Sequence, residues 1–142
     1  MKFTHYLAIA TLFLSTSAWS KSIGSTDKVE QVSDHFMTQV TQGDSESALS
    51  LIGAYLGVDT ASFEQRASKI VNDMKRIETS AGKALSFAKI DTRRVGEHFY
   101  QVRYLLKFQQ AALVWELNYY QPDTGWQLVD VSFNTDIDSL FE

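Results

Sequence analysis

Residues 97–133 limit the possible folds of this chain more than any other stretch, because large aromatic side chains alternate there with polar ones. In a β-strand, every second side chain points to the same face of the sheet. The alternation predicts two long strands and, after a turn at residues 121–125, a third strand that ends at Phe133. One face would carry Tyr100, Val102, Tyr104, Leu106 and Phe108 in the first strand, and Leu113, Trp115, Leu117 and Tyr119 in the second. Because such a face is strongly apolar, other elements must cover it.

One register of the first two strands satisfies both of their faces. If Tyr104 lies opposite Trp115, aromatic and aliphatic residues meet along one face, and Arg103 lies opposite Glu116 on the other. A shift by one residue would break both patterns. In the last strand the apolar residues change parity after Leu128, so this strand has either a β-bulge or apolar side chains on both faces.

Upstream of this stretch, apolar residues recur every three or four positions, which indicates amphipathic helices. Glycines and capping residues divide the region into three parts. The first helix would end at Gly43, a short second helix would run from Asp44 to Gly57, and a long third helix would run from Asp59 to Gly82.

After the third helix the apolar period changes to two, which predicts a weaker strand over residues 84–90 and a turn over residues 92–96. The expected fold is therefore α+β, with three N-terminal helices packed on a curved four-stranded antiparallel sheet. The strands would follow one another as a meander, because each is separated from the next by a short turn.

The N-terminus has the three parts of a secretory signal peptide: Lys2, an apolar run over residues 6–14, and the small-x-small sequence Ala18-Trp19-Ser20. The apolar run is about half the ~20 residues that a membrane-spanning helix needs. We therefore expect residues 1–20 to be removed and residues 21–142 to form a single domain. That domain would be periplasmic or secreted, without stable insertion in a membrane.

Composition excludes several classes of partner and chemistry. Removal of Lys2 leaves 12 of the 13 Lys and Arg residues against 17 Asp and Glu, a net charge of −5 with neutral His, so nucleic acid is not an expected partner. The absence of Cys excludes disulfides and thiolate catalysis. His35 and His98 do not form a metal-binding pair, and no cofactor-binding fingerprint occurs, so we expect neither a metal nor a cofactor.

Helices followed by an aromatic meander, with the ending Gly125-Trp126 and an apolar strand up to Phe133, make this chain similar to the NTF2-like superfamily of cone-shaped α+β domains. The helices over residues 29–56 and 63–77 contribute to the resemblance. It implies a pocket between sheet and helices and frequent homodimers. The superfamily contains isomerases, cyclases and dehydratases as well as non-catalytic binding modules, so the resemblance does not select a function.

Asp130 is the candidate catalytic residue, because a carboxylate within an apolar strand is unusual unless it is paired or exposed. The resemblance implies that a catalytic member would use an Asp or His in the cone, together with a Tyr or Asp that hydrogen-bonds a developing oxyanion. The alternative is a structural one, in which Asp130 lies on the solvent face or in a polar patch with Asn118 and Arg103.

The candidate ligand-binding residues are Tyr100, Tyr104, Trp115 and Tyr119, which combine an apolar body with a polar tip and would suit a small apolar ligand. Core packing is the competing interpretation. Arg103 and Glu116 are interface candidates on the opposite face, for a homodimer or for an envelope protein.

The preferred function is that of a non-enzymatic module that binds a ligand or a protein. One alternative is a small acid–base enzyme of the isomerase, cyclase or dehydratase type, which would use Asp130 with a pocket Tyr. The other is a structural partner of an envelope protein that binds through the sheet face.

Overall fold

The computed structural model describes residues 21–57 and 59–142, so the signal peptide expected at residues 1–20 lies outside the described residues. Within them, three α-helices precede an open four-stranded antiparallel sheet, as the α+β prediction requires. The elements are α1 (Thr26–Thr41), α2 (Ser45–Gly53), α3 (Thr60–Ala81), β1 (Ser86–Val95), β2 (Phe99–Lys107), β3 (Ala112–Tyr120), β4 (Gln127–Asn134) and a short 3₁₀ helix (Asp138–Leu140).

The helix boundaries follow local capping chemistry. The side chains of Ser25, Asp44 and Asp59 each accept a backbone N–H in the first turn of the helix that follows. Gly43 and Gly82 have φ values of 83° and 82°, which glycine adopts without steric cost, and they lie just beyond α1 and α3 as predicted.

The predicted end of α2 at Gly57 is wrong, because the helix ends at Gly53. Tyr55 and Gly57 instead extend along the edge of β4, where the Leu128 N–H donates to the Tyr55 carbonyl at 2.7 Å and the Gly57 N–H donates to the Leu128 carbonyl at 3.0 Å. This pairing satisfies backbone groups that a free sheet edge would leave unpaired, which explains the early helix end.

The four strands lie in sequence order, β1-β2-β3-β4, as a meander. The predicted register is confirmed, since Tyr104 pairs with Trp115 and Arg103 with Glu116. We call the face that carries Tyr104 and Trp115 the inner face, and the face that carries Arg103 and Glu116 the outer face.

The last strand, β4, contains a β-bulge, which is one of the two alternatives predicted for it. Asn118 pairs with Asp130 and Tyr119 with Leu128, so Val129 is an extra residue in β4. The bulge keeps Leu128 on the inner face despite the change of parity that follows it.

The first strand is longer than predicted. β1 continues to Val95, and the turn lies at Gly96, which has a φ of 57°. A second register shift between Lys89 and Asp91 leaves Ile90 as an extra residue, which changes the parity of everything beyond it. The predicted turn at residues 92–96 is therefore wrong for residues 92–95, which pair with β2.

The core lies between α1 and the inner face. Phe36 packs edge-on against Trp115 with a ring-centroid distance of 5.4 Å, and both side chains have no solvent exposure. Within residues 21–57 and 59–142, no helix has the length and apolar character needed to cross a bilayer.

Candidate functional site

The helix α1 meets the inner face of the sheet through hydroxyl groups. Glu30, Ser33 and Asp34 lie on one side of α1, because positions three and four apart in a helix are neighbours. Each of them meets a tyrosine from the predicted ligand-binding set, namely Tyr100 to Glu30 Oε1 at 2.7 Å, Tyr119 to Ser33 Oγ at 2.8 Å and Tyr104 to Asp34 Oδ1 at 2.6 Å. We call these three pairs, together with Lys89, the tyrosine cluster.

The hydroxyl of Ser33 shows the direction of its bond with Tyr119. Ser33 Oγ donates to the Val29 carbonyl at 2.8 Å, which leaves Tyr119 as the donor in the pair. Burial raises the pKa of Tyr119 and, more strongly, that of Tyr104, where the bond to Asp34 adds to the effect. Both hydroxyls are therefore held protonated as hydrogen-bond donors to α1.

Lys89 closes the cluster from the edge strand β1. Its ammonium donates to Glu30 at 2.9 Å, forms an ion pair with Asp34 at 3.2 Å and lies 5.9 Å from the centre of the Tyr104 ring. Partial burial alone would lower the pKa of Lys89, but the bonds to the two carboxylates outweigh it and raise that pKa. The bond from Lys89, followed by that from Tyr100, lowers the pKa of Glu30.

The predicted ligand-binding side chains are packed core in this structure. Tyr104, Trp115 and Tyr119 have no solvent exposure and Tyr100 has 8%. Neither of the two grooves described below is lined by any of the four. This arrangement corresponds to the competing interpretation, in which the aromatic residues hold the helices on the sheet.

Asp130 lies away from these aromatic residues. It pairs with Asn118 on the outer face, whereas Tyr104 and Trp115 point to the inner face. Its carboxylate accepts a hydrogen bond from Arg66 of α3 at 2.8 Å, and its side chain is 34% exposed. The structure therefore does not bring Asp130 together with a pocket tyrosine.

Arg103 and Glu116 lie opposite each other, but the guanidinium of Arg103 binds a third residue. It donates to both carboxylate oxygens of Asp91, at 2.7 and 2.6 Å, and Arg103 is only 3% exposed. The Arg103 guanidinium lowers the pKa of Asp91. This partner could not be predicted, because Asp91 lies beyond the predicted end of β1 and after the bulge at Ile90.

A groove of about 690 Å³ lies between α2 and α3, and we call it the helix groove. Its apolar floor includes Leu49, Phe63 and Val71, and its charged rim comprises Glu46, Glu64 and Lys75. Sequence periodicity could not predict it, because it forms between two helices, and helix crossing is set by tertiary packing.

Gly53 lets α2 and α3 approach each other at one end of the helix groove. A Cβ atom there would lie 3.2 Å from the Phe63 ring, which is closer than most such contacts. The small residue therefore keeps the Phe63 ring in the groove floor.

A second groove of about 410 Å³ lies between residues 22–24, α1 and the end of α2, and we call it the N-terminal groove. Its polar lining includes Lys28, Gln31 and His35, none of which belongs to the tyrosine cluster. Among the described residues, no group of three or more His, Asp or Glu side chains is placed to hold a metal ion.

Comparisons of this chain with protein-family models, with curated proteins and with solved structures found no match. The resemblance to the NTF2-like superfamily therefore stays a prediction from the sequence, beside the α+β fold that the structure shows.

Proposed function

We propose that this protein is an exported, non-enzymatic accessory domain that binds a segment of another protein in the helix groove. The observation that carries the proposal is the closure of the inner face by α1. The tyrosine hydroxyls of that face are paired with Glu30, Ser33 and Asp34, so ligand binding there would require α1 to be displaced. Binding at an open surface groove needs no such change.

The shape of the helix groove suits an elongated partner. Its lining extends along α3 from Thr60 to Lys75. Fifteen residue steps correspond to about 22 Å of helix. This length fits about four turns of a docked helix, or about six to seven residues of an extended peptide. A groove with an apolar floor and a polar rim is a common docking site for an amphipathic helix.

The rim indicates the charge of the partner. Glu46 and Glu64 contribute two carboxylates and Lys75 one ammonium, and within the described residues none of the three forms an ion pair. A segment with an apolar face and flanking basic residues would complement the excess of carboxylates.

Titration with a synthetic peptide tests this proposal. The probe is a 14-residue amphipathic helix with Leu on one face and Lys on the flanks, and its control has Glu in place of Lys. We expect the basic peptide to shift the amide resonances of α2 and α3 saturably, and the acidic peptide to do so much more weakly. Equal shifts from both peptides, or no saturable shift, would contradict the proposal.

Two exposed positions on α3 provide a matched pair of variants. Ser68 lines the helix groove, whereas Gln65 does not. Ser68→Trp should fill the groove and weaken binding of the basic peptide by at least about tenfold, whereas Gln65→Trp should leave it unchanged. The proposal fails if both variants bind the peptide like the wild type.

A second candidate function is association through the outer face, which an exposed apolar patch favours. Val95 is 70% and Phe99 48% exposed, and the Phe99 ring lies 5.1 Å from that of Tyr120. Next to this patch on the outer face, Arg93 lies on the edge strand β1 and Asp130 on the opposite edge strand, β4. The occupant we favour is a second copy of this chain, because a two-fold axis along the strands would bring Arg93 of one copy near Asp130 of the other, in addition to their pairs with Asp91 and Arg66 within each copy.

Sedimentation analysis tests the homodimer. We expect a concentration-dependent dimer for the wild type and a shift towards monomer for Phe99→Ser, with Leu85→Ser as the control because Leu85 is 59% exposed but precedes β1. A wild-type protein that stays monomeric at all concentrations would exclude this association.

A further inference from the structure

The N-terminal groove has a wall that is held in place by the sheet. Ile23 exchanges two backbone hydrogen bonds with Trp126, at 2.8 and 2.7 Å, and its side chain is 4% exposed. Val32 of α1, Leu51 of α2 and Tyr55 complete an apolar lining. A volume of about 410 Å³ lies within the range of about 300–1,000 Å³ that is typical of small-molecule pockets.

Side chains that can donate hydrogen bonds line the N-terminal groove. Lys28, Gln31 and His35 follow one another at three- and four-residue steps along α1, and Tyr55 lines the groove with them. All four side chains can donate a hydrogen bond. Within the described part of the chain none of these four side chains makes a hydrogen bond or an ion pair, although other polar residues of α1 meet the sheet.

The charge of the groove differs from that of the protein as a whole. The chain has 17 Asp and Glu against 13 Lys and Arg, yet the described residues that line the N-terminal groove include Lys28 and no carboxylate. Convergent donors beside one ammonium favour an anionic head group, and a single fixed positive charge suits a monoanion. The adjoining apolar wall favours a hydrocarbon body.

We propose that the N-terminal groove binds a small amphipathic carboxylate, with its head group at Lys28, Gln31, His35 and the Tyr55 hydroxyl and its apolar body against Ile23 and Leu51. This site is separate from the helix groove and uses different residues. Its test is therefore independent of the proposed function.

Calorimetric titration with decanoate, below its micelle concentration, is the direct test. Decylammonium, which has the same body and the opposite charge, is the control ligand. We expect saturable 1:1 binding of decanoate and no measurable binding of decylammonium. Equal binding of both would show a non-specific apolar surface, and absence of saturable decanoate binding would overturn the proposal.

Matched variants locate the head group. Lys28→Met should weaken decanoate binding by at least about tenfold, because it removes a charge-assisted hydrogen bond. Lys83→Met removes an equally charged side chain that is exposed outside the groove and should leave the affinity unchanged. Equal affinities for the two variants would overturn the assignment of the head-group site.

A variant in the apolar wall tests the position of the ligand body. Leu51→Gln should lower the affinity for decanoate while leaving the thermal midpoint close to that of the wild type, because Leu51 is only half-buried. Decanoate-induced changes of amide resonances should fall on residues 22–24 and on the exposed side of α1. Changes confined to the helix groove would contradict the proposal.

Discussion

The two sides of α1 carry similar numbers of polar residues but differ in what those residues contact. On one side, Glu30, Ser33 and Asp34 are bonded to tyrosines of the sheet. On the other, Lys28 and His35 face a groove, and their side chains make no such bonds to the described residues. Successive residues of a helix are rotated by about 100° about its axis, so the neighbours Asp34 and His35 point to different sides of α1. The difference shows that a polar residue on a helix acquires its role from what lies opposite it.

The largest expected effect concerns the apolar contact between α1 and the sheet. Phe36→Ala should lower the free energy of unfolding by about 3–5 kcal/mol, because it removes a fully buried ring from Trp115. On the opposite side, Gln31→Ala should change it by no more than about 0.5 kcal/mol. Urea unfolding followed by circular dichroism measures both, and similar midpoints for the two variants would break the contrast between the sides.

The bond between Ser33 and Tyr119 should contribute the next largest effect. Ser33→Ala should cost about 1–3 kcal/mol, because it leaves the buried Tyr119 hydroxyl without its acceptor. The double variant Ser33→Ala with Tyr119→Phe removes both partners and should cost less than the sum of the two single variants. Additive effects in the urea unfolding experiment would show that the bond does not couple the two residues.

The carboxylate of Glu30 gives a smaller effect that depends on pH. Because the bond from Lys89, followed by that from Tyr100, lowers its pKa below the ordinary 4.5, the ionised form stabilises the fold above that pH. This stabilisation is lost as the pH falls from about 4.5 through the folded-state pKa. Glu30→Gln should therefore reduce the loss of stability in this acid range.

Lys89→Met supplies the comparison for that experiment. It removes the ammonium that donates to Glu30, so it should also weaken the acid dependence of the unfolding midpoint. Unfolding curves recorded at intervals between pH 3 and pH 6 measure the slope. Wild-type slopes in both variants would show that the pairing with Lys89 does not contribute to stability.

The smallest expected effect is that of an ion pair outside the tyrosine cluster. Asp130→Asn breaks the ion pair with Arg66, in which the Asp130 side chain is 34% and the Arg66 side chain 48% exposed. It should lower the free energy of unfolding by no more than about 1 kcal/mol. Arg66→Gln should have a similar effect. A larger loss in thermal unfolding would show that Asp130 has a structural role beyond this pair. Should an enzymatic activity be found, unchanged turnover in Asp130→Asn would exclude the catalytic hypothesis for this residue.

Much of the sheet could be predicted because its two faces constrain the register independently. The pairing of Tyr104 with Trp115 and of Arg103 with Glu116 follows from side chains that lie in adjacent strands. The partners of Lys89 and Tyr119 could not be predicted in the same way. They lie on α1, at sequence separations of 59 and 86 residues, and neither a strand period nor a helix period relates such positions.

Local signals in the sequence were enough to predict the three helices, the four-strand meander, the register of its central hairpin and the alternatives for the last strand. They were enough because capping, periodicity and cross-strand pairing act between near neighbours. The folded domain adds that α1 covers the aromatic face, that α2 ends at Gly53 where the chain pairs with the edge of β4, and that the helix groove and the N-terminal groove lie on the helices. These features depend on how the elements are placed against one another. That placement results from packing over the whole domain, which no single segment encodes.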